Sequence, residues 1–371
     1  MALNATKIFG VLIATFTARY HFILRLFLRV ETFIVLIAIG VFLFYTRWLT
    51  ARYRPLMRGQ HLQHCAPIEK RKFTPPKFIN LGFSDIPRYP GGTWRWKHQN
   101  FSYFASCGAR PYMEDRMHYM NDPHHNLCIF SIFDGHGGPF VSQYLEENFS
   151  NAIRSRLLKF GIDARRQSLD IDAYDTVTQA VVTEVHNIDD AISRLNPSLT
   201  SFTGSTLISA ILEKNRFLTV VNVGDSRAVA CDSLGRAIAL SADHKPSDAK
   251  ERRRIENAGG FILKDGVERV QGILSVTRAF GDTQLKRACI LTAHPDVVRV
   301  DLTEICLSFI LVASDGFWDV VSNDQAIKLA NSFIQKTPTN QWHKVAEYLV
   351  KRALQLGTED NVSLLFLRLH F

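Results

Sequence analysis

From about residue 100 onward, short apolar runs alternate with longer stretches whose apolar residues recur at helical spacing. The short runs, rich in Val, Ile, Leu and Phe, predict strands over 101–106, 127–133, 207–212, 218–223, 228–231, 309–313 and 362–370. The helical periods predict helices over 139–160, 174–195, 247–258, 324–334 and 342–356. Strands outnumber helices, and neighbouring strands are separated by short turns. That pattern favours an α+β fold of stacked antiparallel sheets with helices outside over a doubly wound parallel sheet.

The first 49 residues follow a different pattern. Residues 32–46 carry no charge, with Glu31 and Arg47 at their borders. Adding Val30, Trp48 and Leu49 gives a span over about 30–49, close to the roughly 17–20 residues a bilayer requires. A span this short suits the thin endoplasmic reticulum bilayer. Upstream, residues 8–18 form a shorter apolar run, followed by Arg19, Arg25 and Arg29 among Phe22, Ile23, Leu26 and Phe27. This segment reads as an amphipathic helix at the membrane surface or as the second arm of a shallow hairpin. A buried core helix is the alternative for 32–46, but nothing polar interrupts the run and basic residues bracket it. Residues 50–92 hold Pro55, Pro67, Pro75, Pro76, Pro87 and Pro90 with many basic residues, and end at Gly91 and Gly92. They read as a semi-extended linker. The expected organisation is thus an anchor over 1–49, a linker over 50–92 and a catalytic domain over 93–371.

Charge sharpens this division. The net charge is +9, yet residues 1–100 hold 15 Lys and Arg against 3 Asp and Glu, while the remainder holds 29 against 32. The basic excess belongs to the N-terminal arm, where it suits lipid headgroups, and a nucleic acid partner for the folded body is not expected. Basic residues flank the span on both sides, so charge does not orient it. The sequons at Asn100, Asn148 and Asn361 favour a body in the cytosol, since luminal glycosylation at Asn361 would crowd Asp360. The six cysteines are scattered, with no CxxC and no zinc spacing, which fits reduced thiols in that compartment.

The chemistry lies in where the acids fall. Asp134 ends one predicted strand and is followed by Gly135, His136, Gly137 and Gly138. Asp225 ends a second, Asp315 ends a third with Gly316 after it, and Asp360 stands just before the last. Arg110, Glu114 and Asp115 follow the first strand. Acids at the ends of buried strands converge on one rim of a sandwich, where they repel one another and lose hydration unless a cation neutralises them. These are hard oxygen ligands with no Cys among them, a set that selects Mg²⁺ or Mn²⁺ over Zn²⁺. A single Asp-Gly is first of all a turn signal, and the plain alternatives are a surface ion pair for Arg110 and a hydrogen-bonded structural histidine for His136. Four acids at strand ends are harder to assign to turns alone.

The segments RPYMEDR, FDGHGG, VNVGDSRA, DHKP, AGGFI, RVQGILSVTRAFGD, ASDGFWD and EDNVS stand in the order and approximate spacing of metal-dependent type 2C serine/threonine phosphatases. The chain resembles that family over roughly residues 93–371, and its N-terminal pattern resembles the family's membrane-anchored branch. The resemblance implies a four-layer αββα sandwich, two antiparallel sheets flanked by helix pairs, with a two-metal Mg²⁺ or Mn²⁺ centre at one edge. It implies that Asp134 bridges both ions and that Gly135 offers its carbonyl. Glu114 would bind one ion, while Asp315 and Asp360 would bind the other. Asp225 and Asp319, with Asp315, match positions for a weaker third ion, and Asp115 would stand behind the ligands. Arg110 would grip the substrate phosphate, and His136 would give a proton to the departing seryl or threonyl oxygen. Hydroxide bridging the two ions would attack phosphorus in line.

The implied substrates are phosphoserine and phosphothreonine proteins, membrane-proximal signalling proteins among them, and the catalytic domain is expected to be monomeric. Two rival readings are a binding module that has lost turnover and a phosphatase of small phosphoesters. The presence of Asp134, Asp315 and Asp360 speaks against the first. Lys250, Arg252, Arg253 and Arg254, with Glu251 and Glu256, read as a solvated helix face, and residues 259–281 resemble the family's flap.

Overall fold

The computed structural model describes residues 93–98, 100–159 and 171–369, together with Thr17 and Tyr20. The anchor expected over 1–49, those two residues apart, and the linker over 50–92 lie outside the described residues. The chain divides into two compact units, Met1–Arg71 and Lys72–Phe371, and every element below belongs to the second. Among the described residues, no helix is long and apolar enough to cross a membrane.

Two antiparallel sheets form the centre. The first runs, edge to edge, Thr93–Lys97, Phe101–Ser106, Val362–Arg368, Leu307–Ala313, Arg227–Asp232 and Ala237–Ala239. The second runs Asp296–Asp301, Phe217–Val223, Leu207–Glu213, Leu127–Phe133 and Arg116–Asp122. Side chains alternate across each strand, and in these sheets both faces are covered. Tyr103, Ile310, Val312 and Leu365 of the first sheet meet Met117, Ile132, Ile208 and Val220 of the second. On the far side of the first sheet, Phe104, Leu311 and Phe366 pack on Ile327, Leu349 and Val350 of helices Asn323–Lys336 and Val345–Gln355. On the far side of the second, Ile129, Phe133 and Val221 pack on Leu145, Phe149 and Val185 of helices Phe140–Lys159 and Ile171–Ser193. The layers are therefore helices, sheet, sheet, helices. Full burial of each such Leu, Ile or Phe contributes about 1.5–3 kcal/mol, and burial on two faces explains why the central strands read as unbroken apolar runs.

Within these two sheets the sequence pattern does not announce four strands: Thr93–Lys97, Arg116–Asp122, Ala237–Ala239 and Asp296–Asp301. All four are sheet edges. An edge strand has one neighbour and a partly wet face, so it tolerates the charges that hide its period. Helix ends differ from expectation by a few residues for local reasons. The helix expected over 247–258 is Ala249–Asn257, because Asp248 caps it by accepting the Lys250 and Glu251 backbone N–H groups. The segment expected to be helical from 342 is a tighter 3₁₀ turn, Thr339–Lys344, before Val345–Gln355 begins. Within 259–281 the chain forms a hairpin, Ile262–Asp265 against Val267–Val270, that turns at Gly266 with φ +73°.

Candidate active site

Strand register brings the acids to one rim. Ala313 is paired with Leu364 on one side and Arg227 on the other, so Asp315, Asp360 and Asp225 leave the first sheet at the same end. In the second sheet Ile132 is paired with Ile208, and Leu207 with Val223, which places Asp134, Thr206 and Gly224 together. Thr206 stitches this end: its backbone N–H donates to the Asp134 carbonyl (2.8 Å), and its hydroxyl accepts from the Asp134 N–H (3.3 Å).

Carboxylate oxygens of Asp134, Asp225 and Asp315 all lie within 4.8 Å of one another. Such crowding is unfavourable for three negative charges. Burial and the charges of neighbouring carboxylates, Asp115 and Asp315 foremost, push Asp134 well above the usual carboxylate range. Asp225 is raised well above it for the same reasons, partly opposed by Lys245. Burial and Asp360 lift Asp315 to about 6. Asp115, 1% exposed, is lifted to about 7 by burial, although it accepts a hydrogen bond from the Ser314 hydroxyl (2.9 Å). Asp225 Oδ2 is buried and has no hydrogen-bond partner among the described residues; the Lys245 ammonium stands 3.8 Å away.

The remaining expected residues surround this group. The Glu114 backbone N–H donates to Asn361 Oδ1 (2.8 Å), and its carbonyl accepts from the Ser142 hydroxyl (2.7 Å). Gly135 sits so close to these groups that a Cβ there would meet Ser142 Oγ at 2.6 Å and the Glu114 carbonyl at 2.7 Å. Burial, partly offset by His136 and the Gly138 backbone, raises the Glu114 carboxyl. Arg110 donates to Asp360 at 2.7 Å, both side chains being partly exposed. Asp319 is exposed and accepts from the Lys245 ammonium at 2.7 Å rather than joining the three-carboxylate group. Lys245 is held above its usual pKa: burial opposes its charge, but Asp225 and Asp319 outweigh that. His136 Nε2 lies 2.6 Å from Asp282 Oδ2, and although burial disfavours a charged ring, Asp282 and Glu114 raise its pKa.

Three contributors escaped the sequence reading. Lys245 sits in DHKP, a segment that by itself gives its lysine no role. Asn361 stands in EDNVS and begins a sequon, and neither gives its side chain a task; its amide binds the Cys107 and Tyr112 carbonyls (3.0 and 3.1 Å) as well as Glu114. Asp282 follows a glycine, as the tail of AFGD, but the strand leading into it, Phe280–Gly281, is only two residues long, so no apolar run marks its end.

The donor set suits a hard divalent ion. It offers carboxylate and carbonyl oxygens without sulfur, it leaves a buried oxygen unsatisfied, and a cation would relieve its mutual repulsion. Acids on the rim of a four-layer sandwich, with an arginine and a histidine beside them, define a metal-dependent phosphoester hydrolase.

The protein phosphatase 2C family model matches residues 100–362. The chain belongs to that family and is a metal-dependent serine/threonine protein phosphatase, with Mg²⁺ or Mn²⁺ as its ion. It is 35% identical over 278 residues to protein phosphatase 1L of Bos taurus, 74% of each chain being covered. It is 37% identical over 287 residues to probable protein phosphatase 2C 59 of Arabidopsis thaliana, covering 76% of this chain and 84% of that one. The fold is shared with serine-threonine phosphatase 2C from Toxoplasma gondii (TM-score 0.61, 24% identity, 77% of this chain and 98% of that chain). It is also shared with a C. elegans sex determining protein (TM-score 0.63, 23% identity, 74% and 66% covered).

Proposed function

We propose that this phosphatase works at a two-ion centre on phosphoserine and phosphothreonine proteins close to a membrane, to which residues 1–49 tether it. The observation that supports the centre most directly is the approach of Asp134, Asp225 and Asp315 to within 4.8 Å. Asp134 would contact both ions, with the Gly135 carbonyl beside it, Glu114 on one side, and Asp315 and Asp360 on the other. Asp225 and Asp319, with Asp315, would serve a weaker third ion. Bound ions supply a water of lowered pKa and neutralise charge on the phosphate. The protein groups do the rest. Asp115 fixes Ser314 through its hydroxyl and so sets the turn that presents Asp315. Arg110, already held at the rim by Asp360, turns its planar fork toward two phosphate oxygens. His136 donates a proton to the seryl or threonyl oxygen, which leaves poorly as an alkoxide.

The test is phosphate release from phosphoserine and phosphothreonine peptides by the full chain, with Mn²⁺ and after chelation. Release should require the ion and should be lost in Asp134→Ala. Turnover that survives chelation would end this reading. For the tether, the support is the uncharged run over 32–46 with basic flanks; its shortness suits the endoplasmic reticulum, and the sequon at Asn361 favours a catalytic unit on the cytosolic side, where we take it to act as a monomer.

A further inference from the structure

We propose that Asp282 is the positioning residue for His136, holding the Nε2 edge of its ring so that Nδ1 delivers the proton to the leaving oxygen. The inference rests on the reading of His136 as proton donor and extends it to a residue with no assigned role. The pair is short, 2.6 Å between Nε2 and Oδ2, and the Asp282 side chain is 2% exposed against 26% for His136. One side of the pair is therefore sealed and the other open, as a donor facing substrate requires.

Three features show that the contact is built. Gly204 leaves room for it, since a Cβ there would come within 3.0 Å of both Asp282 Oδ2 and His136 Nε2. Asp282 adopts a left-handed backbone, φ +44° and ψ 43°, which few residues other than Gly, Asn and Asp accept. It stands at the start of the short helix Thr283–Arg287 yet makes no side-chain capping bond, so its carboxylate is turned to His136 instead. The conformation is clamped from behind. The Asp282 N–H donates to the Thr203 carbonyl (3.0 Å), the Gly281 N–H donates to Asp189 Oδ1 (3.1 Å), and Lys286 pairs with the same Asp189.

In the reaction, the bond from phosphorus to the seryl or threonyl oxygen breaks as a bond forms to the oxygen of water. The Nδ1 proton passes to the departing oxygen, and water yields its proton to solvent. The ring is left neutral, its Nε2 edge still held by Asp282, and regains its proton from solvent.

The experiment compares the full chain with Asp282→Asn, Asp282→Gly and His136→Gln, all with Mn²⁺. Asn and Gly both suit the left-handed backbone. Two substrates are used: a phosphothreonine peptide, whose alkoxide needs a proton, and p-nitrophenyl phosphate, whose phenolate departs without one. The expected result is a fall in kcat of about 100-fold on the peptide in both Asp282 variants, with little change in KM and little change on the aryl phosphate. An equal loss on both substrates, or no loss on either, would overturn the proposal. A substrate split in His136→Gln without one in the Asp282 variants overturns Asp282 alone. No split in His136→Gln removes the reading beneath it as well.

Discussion

Asp225 shows at the scale of one residue how a site can oppose its own fold. Its carboxylate is 2% exposed, carries an oxygen without a hydrogen-bond partner among the described residues, and faces Asp134 and Asp315. Asp315, at about 6, and Asp115, at about 7, bind protons more tightly folded than in an unfolded chain, where an Asp titrates near roughly 3.9. The sign follows from linkage: the folded state binds more protons between those values, so stability is fullest below about pH 4 from this source and is lost as pH rises to about 7. Urea unfolding of the chelated protein should therefore show these groups lowering stability across that interval, and Mn²⁺ affinity by calorimetry should rise across it as ions replace protons. A pH-independent Mn²⁺ affinity would contradict this. Arg110 offers a second case. Because its contact is with the phosphate, Arg110→Ala should raise KM about 10–100-fold in steady-state assays, the worth of one or two charge-assisted hydrogen bonds, and alter kcat far less.

Elements differ in how clearly the chain announces them. Leu127–Phe133, Leu307–Ala313 and Val362–Arg368 are central strands covered on both faces, and their apolar runs were legible at once. Arg116–Asp122 and Asp296–Asp301 were not, since as edges they mix charge with apolar residues. The helix Ala249–Asn257 was legible, but the meaning of its charges was not. Read as a solvated face, it contains Glu251, which is 5% exposed. That carboxylate accepts from Arg254, from Arg278 at 2.6 Å and from the Thr277 hydroxyl at 2.8 Å. It thereby ties the helix to the segment leading to Asp282. Despite its burial, the arginines and Thr277 lower its pKa to about 2, so its contribution is present above the ordinary Glu value and lost as pH falls toward 2. Glu251→Ala leaves two arginines without their shared partner. It should cost about 3–5 kcal/mol in urea unfolding, against a few tenths for the exposed Glu256 on the same helix.

At the scale of the whole molecule, the proposed tether would confine the enzyme to a surface and so raise the concentration of substrates bound to the same membrane. The full chain should float with phospholipid vesicles and a chain lacking residues 1–49 should not, while both hydrolyse a phosphopeptide at similar rates. Recovery of the full chain in the vesicle-free fraction would refute the tether. Local pattern sufficed for the central strands, the main helices and the glycines beside Asp134 and Asp315, because burial on two faces, helical periodicity and tight turns leave marks within a few residues of one another. The likeness of the ordered motifs to the family carried Glu114, Asp134, Asp315 and Asp360 as a candidate set. Tertiary structure decided what depends on partners far along the chain: which strands are edges, the bond between His136 and Asp282 across 146 positions, and the Lys245 contact with Asp319 across 74. A side chain's polarity is written in its own residue, whereas the group that answers its charge is chosen by which distant strand ends the fold brings to the same rim.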